Sequence, residues 1–412
     1  MQQSRKAFMT KWKMPLLLIS GIGISRLGDF IYLVAINVLI LQLTNSPVAV
    51  AGLWIMGPLA SLLTKFWSGT LIDRLDQKKI MIYTIMIRAF FMAIIPFVSS
   101  ISIIYGCLFL LSVGKAFFDP ASVTYITKLI PREDRKAYNS YASLVMSSAF
   151  IVGPSIGGAL LVISSANVTI WLTTGSFLIS ALIMLSLPNY TSERTSAFKW
   201  DTFKNDWKAV YQFSRSFPYI IRIVILVYAL MVISMGMDAQ EVVFIQETLG
   251  LSESDYGLLM SITGVGSITG AFILSVLSKK LTLRFLIGMG FLFIAIGYLI
   301  YGFSFSFWSV AAGFVMIGFF NSFSNSGFMT FFQNNVPGNM IGRIYGILGT
   351  LQSAFQIVFI LLIGFTGEII PLRYTIISAS LLTFIISLVL LVMVMSASRK
   401  AYYMEASRRV SG

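Results

Sequence analysis

The sequence predicts an all-α membrane protein with twelve transmembrane helices arranged as two six-helix halves. Of its 412 residues, 57% are hydrophobic and only 11% are charged, whereas a soluble domain carries about 25% charged residues. This surplus of apolar side chains exceeds what a buried core needs, so we expect lipid to cover much of it. Basic residues then recur in alternate loops, which orients every predicted helix consistently.

Each predicted span is an apolar stretch long enough to cross a bilayer, which takes about 20 helical residues. Their uneven lengths indicate tilt or extension past the lipid. The twelve spans are predicted at residues 14–43, 48–70, 80–98, 102–127, 140–163, 168–187, 219–246, 254–278, 284–302, 306–334, 342–366 and 371–395.

The loop charges support this assignment. Alternate loops are rich in lysine and arginine, whereas the six connections between them hold neither, and Arg373 directly follows the last of these. Because basic loops stay in the cytoplasm, both termini are predicted there, in a bacterial inner membrane. The net charge of +14 therefore reflects topology, and no nucleic-acid partner is expected.

Four segments follow from this layout. They are an N-terminal half (1–187), a cytoplasmic linker (188–218), a C-terminal half (219–395) and a cytoplasmic tail (396–412). In the linker, aromatic and apolar residues recur at helical spacing between charged ones, which predicts a helix lying in the headgroup plane. The alternative is an ordinary linker.

A faint internal repeat relates the two halves. Phe117-Phe118-Asp119 resembles Phe319-Phe320-Asn321, and Ser148-Ala149-Phe150 resembles Ser353-Ala354-Phe355. Lys78-Lys79 corresponds in the same way to Lys279-Lys280, so three matches fall in order at an offset of 201 to 205 residues. Two parallel halves joined by a cytoplasmic linker are typical of secondary transporters.

The loop after the second predicted span carries a recognisable pattern. Gly69, Asp73 and Arg74 precede the basic pair Lys78-Lys79, and this run resembles the loop signature of the major facilitator superfamily. The resemblance implies a conformational latch formed by Asp73 with nearby cations. Asp76 departs from the family pattern, which often has glycine there. The second half has Leu274 at the position matching Asp73, so the latch would be one-sided.

The fifth predicted span contains Gly153-Pro154 followed by Gly157-Gly158. This looks like the glycine–proline motif of the proton-coupled exporters of the same superfamily. The resemblance implies antiport, whereas the residues alone also fit a helix-packing face without bearing on direction. Ser25-Arg26-Leu27-Gly28-Asp29 and Phe118-Asp119-Pro120-Ala121 are similar to the branch that holds macrolide-type drug exporters and the enterobactin exporter.

Ionisable side chains inside apolar spans are costly and are candidates for function. Arg26 and Asp29 share one face of the first span, and Lys115 and Asp119 share one face of the fourth. We hypothesise that Asp29 or Asp119 binds the coupling proton, since an apolar site favours the neutral carboxyl. Arg26 and Lys115 oppose this, and two static ion pairs within the helices are the alternative.

The second half supplies the candidates for substrate contact. Asp238 and Glu241 have no cation nearby in sequence, which suits a cationic substrate or a proton. The resemblance implies that the first, fourth, seventh and tenth spans line a central cavity, to which Asn321, Asn325 and Gln352 would also contribute. Gln352 and the nearby Gln356 fit helix–helix hydrogen bonding too. Lys65 and Arg88 are expected to extend to the headgroups.

The function expected from these features is proton-coupled export of a small amphipathic compound such as a macrolide, by a monomer without cofactor or metal. The alternatives are export of a siderophore, transport of a lysolipid and a non-transporting sensor or scaffold. No phosphate-binding loop of an ATP-driven pump is present, since Gly114-Lys115-Ala116 lacks the required hydroxyl. The absence of histidine argues against an intramembrane metalloprotease, and no enzymatic activity is expected.

Overall fold

The computed structural model describes residues 2–131, 134–190, 200–277, 280–396 and 402–403, and these residues form helices and no strand. The long helices are α1 (Gln2–Thr44), α2 (Pro47–Arg74), α3 (Gln77–Ile94), α4 (Ile101–Leu129), α5 (Arg135–Ile163), α6 (Ala166–Leu185), α7 (Trp200–Ser216), α8 (Pro218–Asp238), α10 (Glu253–Leu277), α11 (Leu283–Gly302), α12 (Phe307–Asn335), α13 (Gly338–Ile369) and α14 (Leu372–Met395). A short α9 (Glu241–Val243) lies between α8 and α10.

These helices confirm the predicted all-α membrane architecture. Within the described part of the chain, eleven are long and apolar enough to cross a bilayer. For the predicted fifth span, the described residues of α5 give a shorter apolar stretch, Ser148–Leu161. The count of twelve is thus approximately matched, and the protein is a multi-pass membrane protein.

One predicted span is interrupted. Residues 219–246 were expected to form one helix, but α8 ends at Asp238 and a turn at Ala239-Gln240 precedes α9. A π-helical segment, Phe244–Thr248, follows. The break places Asp238 at the last turn of one helix and Glu241 at the first turn of the next, where backbone groups lack regular helical partners.

The chain divides into two compact units. The first unit holds residues 1–45 and 56–198, and the second holds 46–55 and 199–412. The linker helix α7 occupies most of the segment predicted to lie at the headgroups, and that location stays a prediction. The tail is described only at Ser396 and at 402–403, so the rest of 397–412 lies outside the described residues.

The same pairs of helices pack in both units. In the first unit α1 contacts α5 and α6, while α3 contacts α4 and α6. In the second unit α8 contacts α13 and α14, while α11 contacts α12 and α14. Each helix of one set corresponds to a helix of the other in chain order, as expected for parallel repeats.

The described tail residues Tyr402 and Tyr403 contact α8 and α12 of the second unit. The hydroxyl groups of Tyr403 and Tyr219 hydrogen-bond at 2.7 Å, and the Tyr403 ring stacks on Phe331 with centroids 5.1 Å apart. Asn335 Nδ2 donates to the Tyr402 carbonyl at 2.9 Å. Burial raises the pKa of Tyr403. The tail therefore joins α8 to α12.

Candidate functional site

The first unit contains an ion-pair network formed by Arg26, Asp29, Arg88, Lys115 and Asp119. α1 supplies Arg26 and Asp29, α3 supplies Arg88, and α4 supplies Lys115 and Asp119. Three cations and two carboxylates thus meet within apolar helices, where single charges are costly and pairing offsets part of that cost.

Asp29 is the buried centre of this network. Its Oδ1 accepts a hydrogen bond from Arg88 Nη2, and the two side chains are only 6% and 3% exposed. Arg26 Nη1 and Lys115 Nζ lie 3.5 Å and 3.7 Å from Asp29 Oδ2, which has no hydrogen-bond partner among the described residues. Asp29 therefore sits opposite three cations on three helices.

Arg88 was placed wrongly by the sequence. It does not extend to the headgroups: it lies about three turns into α3, with its guanidinium 4.3 Å from the centroid of the Phe177 ring on α6. Its Nη1 donates to Ser25 Oγ at 3.4 Å. Gly114 on α4 provides space, since a Cβ there would lie 2.9 Å from Arg88 Cγ. The distance of Arg88 from the start of its apolar stretch could have shown this, because a side chain that far into an apolar helix is too deep to reach water.

The hypothesis of two ion pairs within single helices is also wrong for α4. Asp119 binds Arg26 of α1, and Lys115 faces Asp29 of α1. Asp119 is 42% exposed, so it is far more accessible than Asp29. The pairing therefore crosses between helices and couples α1 to α3 and α4.

The glycine–proline motif of α5 packs against the helix that carries Asp29. A Cβ on Gly153 would overlap Phe30 Cβ, and one on Gly157 would lie 2.8 Å from the Ile31 carbonyl oxygen. Gly158 is buried as well, and Pro154 lies inside the helix. This contact supports a packing role, and the link to antiport stays a prediction.

The predicted latch is described only in part. The surroundings of Gly69 and the side chains of Asp73 and Arg74 lie outside what the structure describes. Lys78 Nζ donates to the carbonyls of Leu185 and Leu187, at 2.9 and 2.5 Å, where a cation stabilises the C-terminus of α6.

Asp76, the departure from the family pattern, has a structural role of its own. As the N-cap of α3, it accepts from the backbone N–H groups of Lys78 and Lys79. This contact satisfies two amides that the first turn of a helix leaves without a partner.

The second unit contains an acidic pair, Asp238 and Glu241, at the break between α8 and α9. Tyr298 of α11 donates a hydrogen bond to Asp238 Oδ1 at 2.6 Å. The two carboxylates interact electrostatically with each other. Among the described residues, neither is paired with a lysine or arginine.

Buried tyrosines surround this acidic pair. Tyr256, Tyr298 and Tyr301 all lie within electrostatic range of both carboxylates. Tyr301 is 0% exposed, and its hydroxyl has no hydrogen-bond partner among the described residues. The sequence did not predict these tyrosines, because their positions on α10 and α11 have no local pattern that links them to α8.

The other polar candidates have different partners. Asn325 Nδ2 donates to Asn321 Oδ1 at 2.7 Å, one turn apart on α12. Gln352 Nε2 lies 3.9 Å from Met231 Sδ of α8. Their recorded contacts are therefore not with the acidic pair, and a role in substrate binding stays a prediction.

Comparison with known proteins decides the family. Residues 18–355 match the family model of the Major Facilitator Superfamily, which is most of the chain. The chain belongs to the Major Facilitator Superfamily. This confirms the resemblance inferred from the loop and helix motifs, and members of this family are transporters.

Relatives of this superfamily member include bacterial efflux proteins. It is 27% identical over 371 residues to the uncharacterized MFS-type transporter YfiS of Bacillus subtilis, and this alignment covers 84% of each chain. It is 28% identical over 179 residues to the multidrug efflux pump Tap of Mycolicibacterium fortuitum, and this alignment covers 41% of this chain and 44% of Tap.

Solved structures show the same fold. A point mutant of the nucleoside transporter NupG matches 95% of this chain and 100% of its own with a TM-score of 0.75 at 12% identity. A point mutant of the peptide transporter POT matches with a TM-score of 0.73 at 10% identity, over 95% of this chain and 96% of its own. At such identities the likeness concerns the fold alone.

Proposed function

We propose that this superfamily member exports small amphipathic compounds in exchange for protons, as a monomer in a bacterial inner membrane with both termini in the cytoplasm. Its partial similarity to the multidrug efflux pump Tap supports export. Macrolides are the first substrate class to test, because the motifs around Asp29 and Asp119 resemble those of macrolide-type exporters. Siderophores and lysolipids are the second.

The observation that carries proton coupling is the acidic pair without a cation. Two carboxylates in an apolar environment repel each other when both are ionised, and each loses hydration. Binding one proton removes the repulsion and most of this cost. The Tyr298 hydroxyl holds Asp238 in place at 2.6 Å while protons exchange.

The ion-pair network is less suited to carry the proton. Protonating Asp29 would leave Arg88, which is 3% exposed, buried beside a neutral partner, and an uncompensated buried charge is expensive. Asp119 is the better candidate in the first unit, because it is accessible and is bound by one cation, Arg26. The geometry therefore favours Asp238 and Glu241 first and Asp119 second.

The test uses inverted membrane vesicles that are acidified inside by respiration. Macrolides and cationic dyes are added, and proton release is recorded as recovery of a quenched pH-sensitive dye. We expect release with the parent protein, and its loss in Asp238→Asn and Glu241→Gln. Glu247→Gln is the matched control, because Glu247 is exposed and lies close by in sequence.

A second measurement separates coupling from substrate binding. Exchange of labelled for unlabelled substrate at equilibrium needs no net proton movement, so Asp238→Asn should retain it while losing uphill accumulation. Loss of exchange as well would mean that the residue serves binding or folding. Full uphill transport in both single variants and in the double variant would refute the acidic pair as the proton site.

A further inference from the structure

The ion-pair network has one cation more than it has carboxylates. Arg88 is bonded to Asp29 and Arg26 is bonded to Asp119, which accounts for both carboxylates. Lys115 is left over: its Nζ lies 3.7 Å from Asp29 Oδ2, beyond hydrogen-bond distance, and the side chain is 44% exposed. No hydrogen bond from Lys115 occurs among the described residues.

Nothing else in the described spans of the first unit compensates this charge. Among the described side chains of these spans there is no third carboxylate within the apolar stretches, since α3, α5 and α6 have neither aspartate nor glutamate. Asp76 and Asp134 lie at helix ends outside these stretches, and Asp76 is occupied in capping α3. The network therefore keeps a net charge of about +1 in an environment where such a charge is costly.

We propose that Lys115 binds the anionic group, a carboxylate or phosphate, of the transported compound. An ammonium on a flexible stem is a point charge with three donors, which suits a tetrahedral or planar anion without demanding a fixed approach. The bound anion completes the charge balance that the protein leaves open. Arg88 and Arg26 are each bonded to a carboxylate, whereas Lys115 makes only the 3.7 Å contact with Asp29 Oδ2 and can turn toward a ligand.

This inference rests on the proposed transport function and narrows its substrate class. Lys115 adds a requirement that a purely cationic drug does not meet. Siderophores and lysolipids carry a suitable anionic group, whereas macrolides do not, so this inference places those two classes ahead of macrolides.

The test measures binding to the purified full chain in nanodiscs of zwitterionic lipid. The probes are hexyl phosphate, hexyltrimethylammonium and inorganic phosphate, and binding is read as thermal stabilisation. Cys107 is the single cysteine of the chain and is buried, so a thiol-reactive dye reports unfolding. We expect hexyl phosphate to bind more tightly than the other two, and Lys115→Met to weaken it about tenfold, the effect of one charged contact.

Controls separate this outcome from others. Lys208→Met removes an exposed lysine of α7 and should bind hexyl phosphate like the parent protein. Lys115→Arg keeps the charge and should retain most of the binding, even if Lys115→Met folds poorly. Binding in nanodiscs needs neither a proton gradient nor transport, so a failure of the proton site would leave this readout unchanged and the two tests stand apart.

Three results would overturn the proposal. One is equal binding of hexyl phosphate to the parent protein and to Lys115→Met. Another is equal affinity for inorganic and hexyl phosphate, which would show a site for free anions only. The third is binding of hexyltrimethylammonium alone.

Discussion

Replacing Arg88 by methionine tests whether the buried pair with Asp29 holds the first unit together. The substitution keeps an unbranched apolar stem but removes the guanidinium that bonds to Asp29. Both side chains are almost fully buried, so Asp29 would be left as an underpaired charge. Removing one partner of a buried pair costs about 3–5 kcal/mol.

The surroundings of Asp29 place the expected cost near the lower end of that range. Arg26 and Lys115 remain at 3.5 and 3.7 Å from Asp29 Oδ2 and offset part of the loss. The contact of Arg88 with the Phe177 ring disappears as well. We therefore expect a loss of about 3 kcal/mol, which corresponds to roughly 6–12 °C in melting temperature for a unit of this size.

The assay is thermal unfolding in detergent, followed by labelling of buried Cys107. Asp29→Asn should cost a similar amount, because it leaves Arg88 unpaired. The double variant should be less damaging than the sum of the two, by about 2 kcal/mol. Arg222→Met is the control, since Arg222 is exposed and should change stability by less than about 0.5 kcal/mol.

The reasoning fails if Arg88→Met melts with the parent protein, or if the two single variants are simply additive. Either result would show that the pair contributes nothing beyond packing.

Two further substitutions test close contacts in the second unit, and a third, on α4 of the first unit, is a control. Gly270→Ala should lower the melting temperature strongly and cost at least about 1–3 kcal/mol, because a Cβ there would overlap the Phe319 carbonyl oxygen. Gly106→Ala, with nothing within 4 Å, should be neutral or gain up to about 1 kcal/mol from helix propensity, and a loss there would refute the steric argument. Tyr403→Phe should cost about 1 kcal/mol through the lost hydrogen bond to Tyr219, measured in the same assay; no change would mean that ring stacking alone holds the tail.

Much of the architecture could be predicted because its cause is local. Hydropathy reports how much lipid contact each stretch requires, and a single misplaced span would have inverted the charge of every later loop. Asp29 and Asp238 could be singled out for a similar reason, because each is an ionisable residue within an apolar stretch of sequence. Family membership followed from short motifs around Gly69 and Gly153, and the match over residues 18–355 confirmed it.

Partners across helices could not be predicted in the same way. A carboxylate in one helix does not specify which residue of another helix will face it, since that depends on the rotation of both helices about their axes. Arg88 was therefore assigned to the headgroups, and Lys115 was matched to Asp119 on its own helix instead of Asp29. Nothing in the sequence links Tyr298 and Tyr301 to Asp238.

The sequence by itself determined the all-α membrane class, the approximate spans and the set of charged groups within them, because these depend on composition along the chain. Only the tertiary structure decided how those charges combine: Asp29 with three cations, and Asp238 and Glu241 with none among the residues that the structure describes. The physical reason is that pairing energy depends on the distance between side chains that lie far apart in sequence, and packing of α3 against α4 and of α1 against α4 sets those distances in the first unit.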